Sequence, residues 1–363
     1  MDRVARKKTR FVRVGSVMIG GEAPIVIQSM TNTRTSDIGA TLDQIDQLTL
    51  AGCELVRLAV PDEAAAVAIS ELARRSPVPL IADIHFDSRL ACLAIENGAS
   101  KIRINPGNIG GRDKLVEITK CAKRFHTPIR IGVNAGSLER EILQKYGEAS
   151  AAALVDSALG YVAFFEEIGF QNLVVSLKAS DVFTTIEACR IFSEKSSYPL
   201  HLGVTEAGPL EAGTIKNAVG IGTLLAEGIG DTLRVSLTAS PVEEIKVARS
   251  ILQALNIRLF APELISCPTC GRCEVDLLSL VKQVESILKK YNTPIKVAVM
   301  GCAVNGPGEA READIGISAG KKQGLIFRHG RVIRTVDFDK LLDALIEELD
   351  STSVSSGRDK KGD

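Results

Sequence analysis

The 363-residue chain has no surplus of either charge: 44 Lys and Arg stand against 44 Asp and Glu. A whole-surface nucleic-acid binder normally carries a basic excess, so that class is excluded. No apolar run approaches the ~18 residues that a helix needs to span a bilayer. The basic start, Met1–Arg10, is not followed by the apolar segment that a secretory signal requires. A solvated, flexible start is expected instead, with residues 1–19 as an N-terminal extension. Tryptophan is absent and aromatics reach only 4%, against 45% hydrophobic and 24% charged residues. That composition fits an ordinary soluble globular protein with room for one large and one smaller domain. No Gly-Lys-Ser/Thr phosphate loop and no complete dinucleotide fingerprint occurs, so no nucleotide cofactor is inferred. The eight cysteines are too few for a disulfide scaffold, and four of them crowd into residues 267–302. Such crowding points to a reducing compartment, the cytoplasm, and to a metal site.

Residues 20–256 repeat one pattern: a short apolar run, a polar break, then a helix-like stretch. The runs are Ile25–Gln28, Leu55–Ala59, Leu80–Ile84, Lys101–Ile104, Ile129–Val133, Asn172–Leu177, Pro199–Val204 and Thr232–Leu237. Amphipathic segments lie between them, at Thr41–Ala51, Glu63–Ser76, Asp87–Asn97, Arg112–Phe125, Ala151–Ile168 and Val242–Leu255. Runs that barely alternate suit strands buried on both faces, hence a parallel sheet with helical crossovers. Eight such units over ~230 residues predict an α/β fold of the (β/α)8 TIM-barrel type rather than an open doubly wound sheet.

Polar groups recur where these runs end. Arg57 closes the second, Asp83 and His85 the third, Arg103 and Asn105 the fourth, Arg130 and Asn134 the fifth. Lys178 follows in the sixth, Thr205 and Glu206 in the seventh, Arg234 and Ser236 in the eighth. The C-terminal ends of the strands are where barrel enzymes build their sites. A cation in a strand buried on both faces needs a counter-charge, so any one of these residues could belong to a structural ion pair. Four Arg and a Lys at one mouth against two acids instead suit an anionic small molecule, most simply a phosphate ester or diphosphate. Glycines follow the fourth run (Gly107, Gly110, Gly111) and precede the eighth (Gly220, Gly222, Gly228, Gly230), where a phosphate could approach the backbone. His126 and His201 are expected to be structural, and Cys53, Cys92, Cys121 and Cys189 to be small packing residues.

After residue 256 the texture changes. Residues 257–350 read as a smaller α+β domain: Ile257–Ser266, Asp276–Lys290 as a helix, Ile295–Met300, Asp314–Ser318, Gly324–Phe327 and Arg331–Val336 as strands, then a helix over Asp339–Leu349. The tail, 351–363, is rich in Ser, Lys and Gly and is expected to be disordered. Cys267-Pro268-Thr269-Cys270 can present two thiolates to one metal from a single turn. A structural zinc site would want a second pair downstream, and only Cys302 is offered, with no His near it. A ferredoxin-type run starting at Cys267 and passing through Cys273 would need a fourth Cys where Leu277 stands. Three Cys and one weaker ligand are the layout of a reactive cluster. Glu309, on the loop of Cys302, is the carboxylate at hand, with a solvated turn residue as the alternative. The residues alone leave two other readings open: a pterin- or corrinoid-dependent transferase with a zinc module, and an iron–sulfur electron carrier.

Ile265-Ser266-Cys267-Pro268-Thr269-Cys270-Gly271-Arg272 and Gly301-Cys302-Ala303-Val304-Asn305-Gly306-Pro307-Gly308-Glu309 resemble the cluster motifs of the 4-hydroxy-3-methylbut-2-enyl diphosphate synthase family. Gly203-Val204-Thr205-Glu206-Ala207-Gly208 and Gly228-Ile229-Gly230-Asp231-Thr232-Leu233-Arg234-Val235-Ser236 resemble its barrel motifs. The likeness spans nearly the whole chain and matches the compact two-domain bacterial form. It implies a [4Fe-4S] cluster on Cys267, Cys270, Cys302 and Glu309, with Cys273 a departure from the motif. It implies that Arg57, Arg103, Arg130, Lys178, Arg234 and Ser236 hold the diphosphate of 2-C-methyl-D-erythritol 2,4-cyclodiphosphate, assisted by Asn134 and Thr205. Glu206 would be the acid near the reacting carbons, and Asn305 would lie close to the cluster. The implied reaction is a two-electron reductive ring opening with loss of water, fed by flavodoxin or ferredoxin. Family members are homodimers in which one subunit's cluster domain caps the other's barrel.

Overall fold

The computed structural model describes residues 4–302, 308 and 310–356. The chain divides into two compact units between Arg258 and Leu259. The first opens with an antiparallel hairpin, β1 (Val12–Val14) and β2 (Val17–Ile19). Eight parallel strands follow: β3 (Val26–Met30), β4 (Leu55–Ala59), β5 (Leu80–Ile84), β6 (Lys101–Ile104), β7 (Ile129–Asn134), β8 (Leu173–Lys178), β9 (His201–Leu202) and β10 (Thr232–Leu233). Their order is β8-β7-β6-β5-β4-β3-β10-β9, and a bridge between Val175 and Leu200 returns from β8 to the segment entering β9. The ring is the expected (β/α)8 barrel.

Among the described residues nine α-helices lie between or after these strands: α1 (Ile38–Ala51), α2 (Glu63–Arg75), α3 (Ser88–Glu96), α4 (Arg112–Arg124), α5 (Arg140–Tyr146), α6 (Ala151–Glu167), α7 (Val182–Lys195), α8 (Leu210–Ala226) and α9 (Pro241–Ala254). Their starts are set locally. Asp37, Asp62, Asp87, Ser150 and Asp181 each accept a backbone N–H from the first turn of the helix that follows, each such cap stabilising its helix by ~1 kcal/mol. In α2 the charges also follow the helix dipole, with Glu63 in the first turn and Arg74 and Arg75 in the last.

The structure corrects three sequence expectations here. Gly220 and Gly222 lie inside α8 and are not a phosphate loop. A Cβ at Gly220 would come within 2.7 Å of Val204 Cγ2, so this glycine lets the helix close on the barrel. Gly228 and Gly230 sit before β10, at the end of the strand opposite the mouth. The basic start is also not free: the N–H of Lys7 donates to Gly228 O at 2.9 Å and that of Arg10 to Ser197 O at 2.8 Å. The Thr9 hydroxyl donates to Asp231 at 2.8 Å. Finally, β9 and β10 are two-residue ladders, shorter than their apolar runs, because the chain leaves the sheet there to form site loops.

In the second unit β11 (Glu263–Ser266), β12 (Lys296–Met300) and β13 (Ile315–Ala319) run parallel, and β14 (Gln323–Arg328) and β15 (Arg331–Asp337) continue antiparallel. Helices α10 (Leu277–Leu288) and α11 (Leu341–Ser356) contribute to its core, α10 burying Leu277, Leu280, Val284 and Leu288 along one stripe. Helix α11 runs on to Ser356, so the expected disorder from Ser351 onward is not met there. Arg328 explains part of this, since its guanidinium bonds both Glu348 (2.8 Å) and the Ser351 hydroxyl (3.2 Å). The rest of the expected tail, 357–363, lies outside the described residues. Among the described residues no helix is long and apolar enough to cross a membrane.

Candidate active site

Side chains alternate across a strand, so residues two apart share the barrel interior. On β6 this rule turns Lys101 and Arg103 inward together. Register then sets Asp83 on β5 beside Arg103, and Arg103 beside Arg130 on β7. Arg103 Nη1 lies 3.1 Å from Asp83 Oδ1, and Arg57 Nε on β4 lies 3.6 Å from Asp83 Oδ2. His85 Nε2 meets the same Oδ2 at 3.4 Å. One buried carboxylate therefore serves two guanidiniums and an imidazole. Burial alone would raise its pKa, but Arg57, the His85 bond and Arg103 together hold it well below the usual carboxylate range.

Arg234, just past β10, has its own counter-charge. Its Nη2 and Nε donate to Glu244 at 3.1 and 3.2 Å, and Glu244 also accepts from the Ser29 hydroxyl at 2.8 Å. Arg130 and Lys178 have no carboxylate partner among the described residues, and Arg130 Nε and Nη1 are buried without any hydrogen bond. Burial and the surrounding guanidiniums of Arg130, Arg57, Arg234 and Arg103 push the Lys178 amine well below its ordinary value. Arg57 is drawn down to about 10, by burial first and despite Asp83. An excess of buried positive charge faces the barrel axis.

Two glycines give these long side chains their space. A Cβ at Gly132 would lie 2.9 Å from Arg103 Nε, and one at Gly203 only 2.5 Å from Lys178 Nζ and 2.6 Å from Arg234 O. The remaining expected residues are placed less uniformly. In the orientation that pairs both its amide atoms, Asn134 accepts from Arg103 at 3.3 Å. Asn105 is buried and donates to the Ser137 hydroxyl at 2.6 Å. Thr205, Glu206 and Ser236 stand on the segments beyond β9 and β10, and among the described residues no hydrogen bond ties their side chains to the cations. Glu206 is exposed and left-handed, with φ of 53°, a conformation that a non-glycine residue adopts at some cost. Lys101, Gln28, His201 and Glu244, all buried, are absent from the expected site, His201 being expected as a structural residue. The first three share the inward period-2 positions of their strands and were legible in principle. The role of Glu244 depends on how α9 packs.

Of the scattered cysteines, Cys53 and Cys189 are buried, and burial pushes each thiol up to about 12, as packing residues require. Cys92 and Cys121 are half-buried neighbours on α3 and α4, with Cys121 Sγ 3.7 Å from Cys92 O.

The other cysteines belong to the second unit. Parallel pairing of Ser266 with Val299 sets Cys267 level with Met300, so Cys267 leaves β11 two residues before Cys302 follows the end of β12. The N–H of Gly301 donates to Cys267 Sγ at 3.3 Å, as backbone amides do to cluster sulfurs. Cys270 is exposed, and its thiol is drawn down by the backbone N–H and then the side chain of Arg272. The Cys273 thiol has a partner of its own: it bonds Val275 O at 3.3 Å and packs on the core beside Gly301. The thiols at the strand ends fit a soft-metal cluster, whereas Cys273 is engaged elsewhere. Among the described residues no group of three His, Cys, Asp or Glu closes on one point. Asn305 and Glu309 lie outside the described residues. In the first unit a separate cavity of about 360 Å³, lined by Arg112, Glu139, Tyr161 and Phe164 among others, includes none of the mouth cations.

Comparison with known proteins bears on both units. The family described as the GcpE TIM-barrel domain matches residues 9–249, and the GcpE protein C-terminal domain matches residues 263–351. A 4-hydroxy-3-methylbut-2-en-1-yl diphosphate synthase (flavodoxin) of Anoxybacillus flavithermus is 54% identical over 98% of this chain and 99% of its own length. The enzyme of the same name from Geobacter sulfurreducens is 55% identical over 95% of this chain and 98% of its own. Among solved structures, a type I 3-dehydroquinate dehydratase of Clostridium difficile aligns with a TM-score of 0.50 and 14% identity, covering 68% of this chain and 98% of that one. That last likeness is one of fold alone.

Proposed function

Since the chain belongs to the GcpE family along both of its units, we propose that it makes 4-hydroxy-3-methylbut-2-en-1-yl diphosphate by reductive opening of 2-C-methyl-D-erythritol 2,4-cyclodiphosphate. One observation carries the reading to the chemistry: Arg57, Arg103, Arg130, Lys178 and Arg234 line one barrel, with Asp83 and Glu244 as their counter-charges. A buried cation surplus of that kind is costly unless an anion completes it. Substrate and product differ by two electrons, two protons and one water. The bond from the branched carbon to phosphate oxygen breaks, the neighbouring hydroxyl leaves as water, and a carbon–carbon double bond remains. The freed phosphate stays attached through the diphosphate and gains negative charge. The guanidiniums and Lys178 are placed to neutralise that charge as it develops. Asp83 holds Arg57 and Arg103 in place, and Asn105, Asn134, Thr205, Ser236 and His85 complete the polar wall. Glu206, exposed beyond β9, would deliver the proton that the departing hydroxyl takes up.

Cys267, Cys270, Cys302 and Glu309 would hold a [4Fe-4S] cluster, with Asn305 near it. When bound, that group supplies single-electron transfer and Lewis acidity. The electrons come from a small carrier protein, flavodoxin or ferredoxin, the first consistent with the names of the relatives. The working assembly is a homodimer in the cytoplasm, as the family resemblance implies.

Anaerobic purification should give a brown protein containing iron and acid-labile sulfide that turns over the cyclodiphosphate with a chemical reductant. One zinc and no sulfide would overturn the reading in favour of a transferase barrel. Redox activity without turnover would make it an electron carrier. Glu206→Gln should keep the cluster spectrum while kcat falls roughly 10²–10⁴-fold, the usual share of a positioned acid. An unchanged rate removes Glu206 from the chemistry.

A further inference from the structure

Lys101 has no place in the chemistry so far. It is fully buried at the start of β6, two residues before Arg103 on the same inward face, and its Nζ has no hydrogen-bond partner. His201 on β9 is equally buried, with Nε2 unpartnered and Nδ1 3.5 Å from the Thr232 hydroxyl. Gln28 on β3 has neither amide atom bonded. These three form a polar tier inside the barrel, where apolar side chains are the rule.

We propose that Lys101 is a proton-accepting positioning residue beneath the cation ring, taking up a proton when the diphosphate arrives and releasing it when the ring empties. The inference rests on the reading of the mouth as a diphosphate site. The charged groups around Lys101 come from several strands: Arg57 on β4, Arg130 on β7 and His201 on β9, with Lys178 on β8 beyond His201. The one acid of this ring, Asp83 on β5, is already shared by Arg57 and Arg103, and Arg234 beyond β10 is taken up by Glu244. With the ring empty, burial and then the guanidiniums of Arg130 and Arg57 push Lys101 well below its ordinary value. His201 is pushed down in the same way, by burial and then by Arg130, Lys178, Lys101 and Arg57. Arginine resists deprotonation, so the amine is the group that gives way. An anion seated on Arg57, Arg103, Arg130 and Lys178 reverses the local field and restores the proton. Binding is then tightest at low pH and weakens as pH rises through the value that Lys101 takes in the loaded site.

The cyclodiphosphate suits the test because each of its phosphoryl groups carries one strongly acidic hydroxyl, and it does not titrate near neutrality. Any proton taken up therefore comes onto the protein. Calorimetric titration of the oxidised holoenzyme with this substrate, in buffers of different ionisation enthalpy near pH 8, counts the protons. Wild type should take up about one proton more than Lys101→Met, and its Kd should rise by up to about tenfold per pH unit where the variant's is flatter. Equal proton counts in the two proteins, or no uptake by wild type, would overturn the inference while leaving the diphosphate site in place. Absence of binding by wild type would instead overturn the reading of the mouth. Lys101→Gln supplies the same comparison if the Met variant fails to fold.

Discussion

Asp83→Asn should cost the barrel unit about 3–5 kcal/mol of stability, the range found when one partner of a buried ion pair is removed. Asp83 is 3% exposed and is the counter-charge of both Arg57 and Arg103. The amide has the same shape, so little packing is lost. What disappears is the charge that makes two neighbouring guanidiniums tolerable inside a barrel. Because the native carboxyl titrates well below its ordinary range, it contributes fully at pH values above the unfolded value, about 3.9. That contribution is lost only as pH falls through the lower, native value. The penalty should therefore be the same at pH 6 and pH 8. Hydrogen exchange of the β5 and β6 amides in wild type and variant measures it within the barrel itself. A loss under about 1 kcal/mol, the size of an exposed pair, would show that Asp83 is not the counter-ion. Added inorganic pyrophosphate should recover more stability in the variant than in wild type, since the anion replaces what was removed.

The second large effect separates four cysteines that look alike in sequence. Ser at Cys267, Cys270 or Cys302 should strip the protein of iron and abolish turnover. Loss of an outer-shell partner already costs roughly 10–100-fold in metal affinity, and a direct ligand costs more. Cys273→Ala should retain iron, sulfide and most activity. Its thiol is bonded to Val275 O and packed on the core beside Gly301. Iron content and the visible absorption of each anaerobically purified variant decide the matter. If Cys273→Ala loses iron as the others do, it is a ligand.

These effects also mark where the sequence was transparent. Strands β4, β5 and β6 begin and end with their apolar runs, because a strand buried on both faces has no other composition. The mouth cations were legible for the same reason: Arg103 or Arg130 inside such a run has few explanations. Helices α7 and α8 were not read. The apolar residues of α8 surround it, with Ile215 and Val219 exposed and Ile221 and Leu224 buried, so it shows no clear stripe. Glu244 was invisible because its role depends on the packing of α9 against β3, a long-range contact. Gly132 and Gly203 carry no signal of their own in the sequence, and only the structure gives them a purpose as space for Arg103 and Lys178.

The N-terminal hairpin alters how the barrel should be pictured. Val12, Val14 and Ile19 pack with Val26, Leu55, Ile81 and Val174 in one apolar cluster at the end away from the mouth. The barrel is a blind well rather than a tube, stoppered by the hairpin of residues 12–19. An anion entering at the mouth displaces water from around the cations. The strength of every charge–charge contact in the well then depends on the stopper, because attraction between charges grows as the surrounding dielectric falls. A segment far from the chemistry in sequence and in space thus sets the medium in which the chemistry runs.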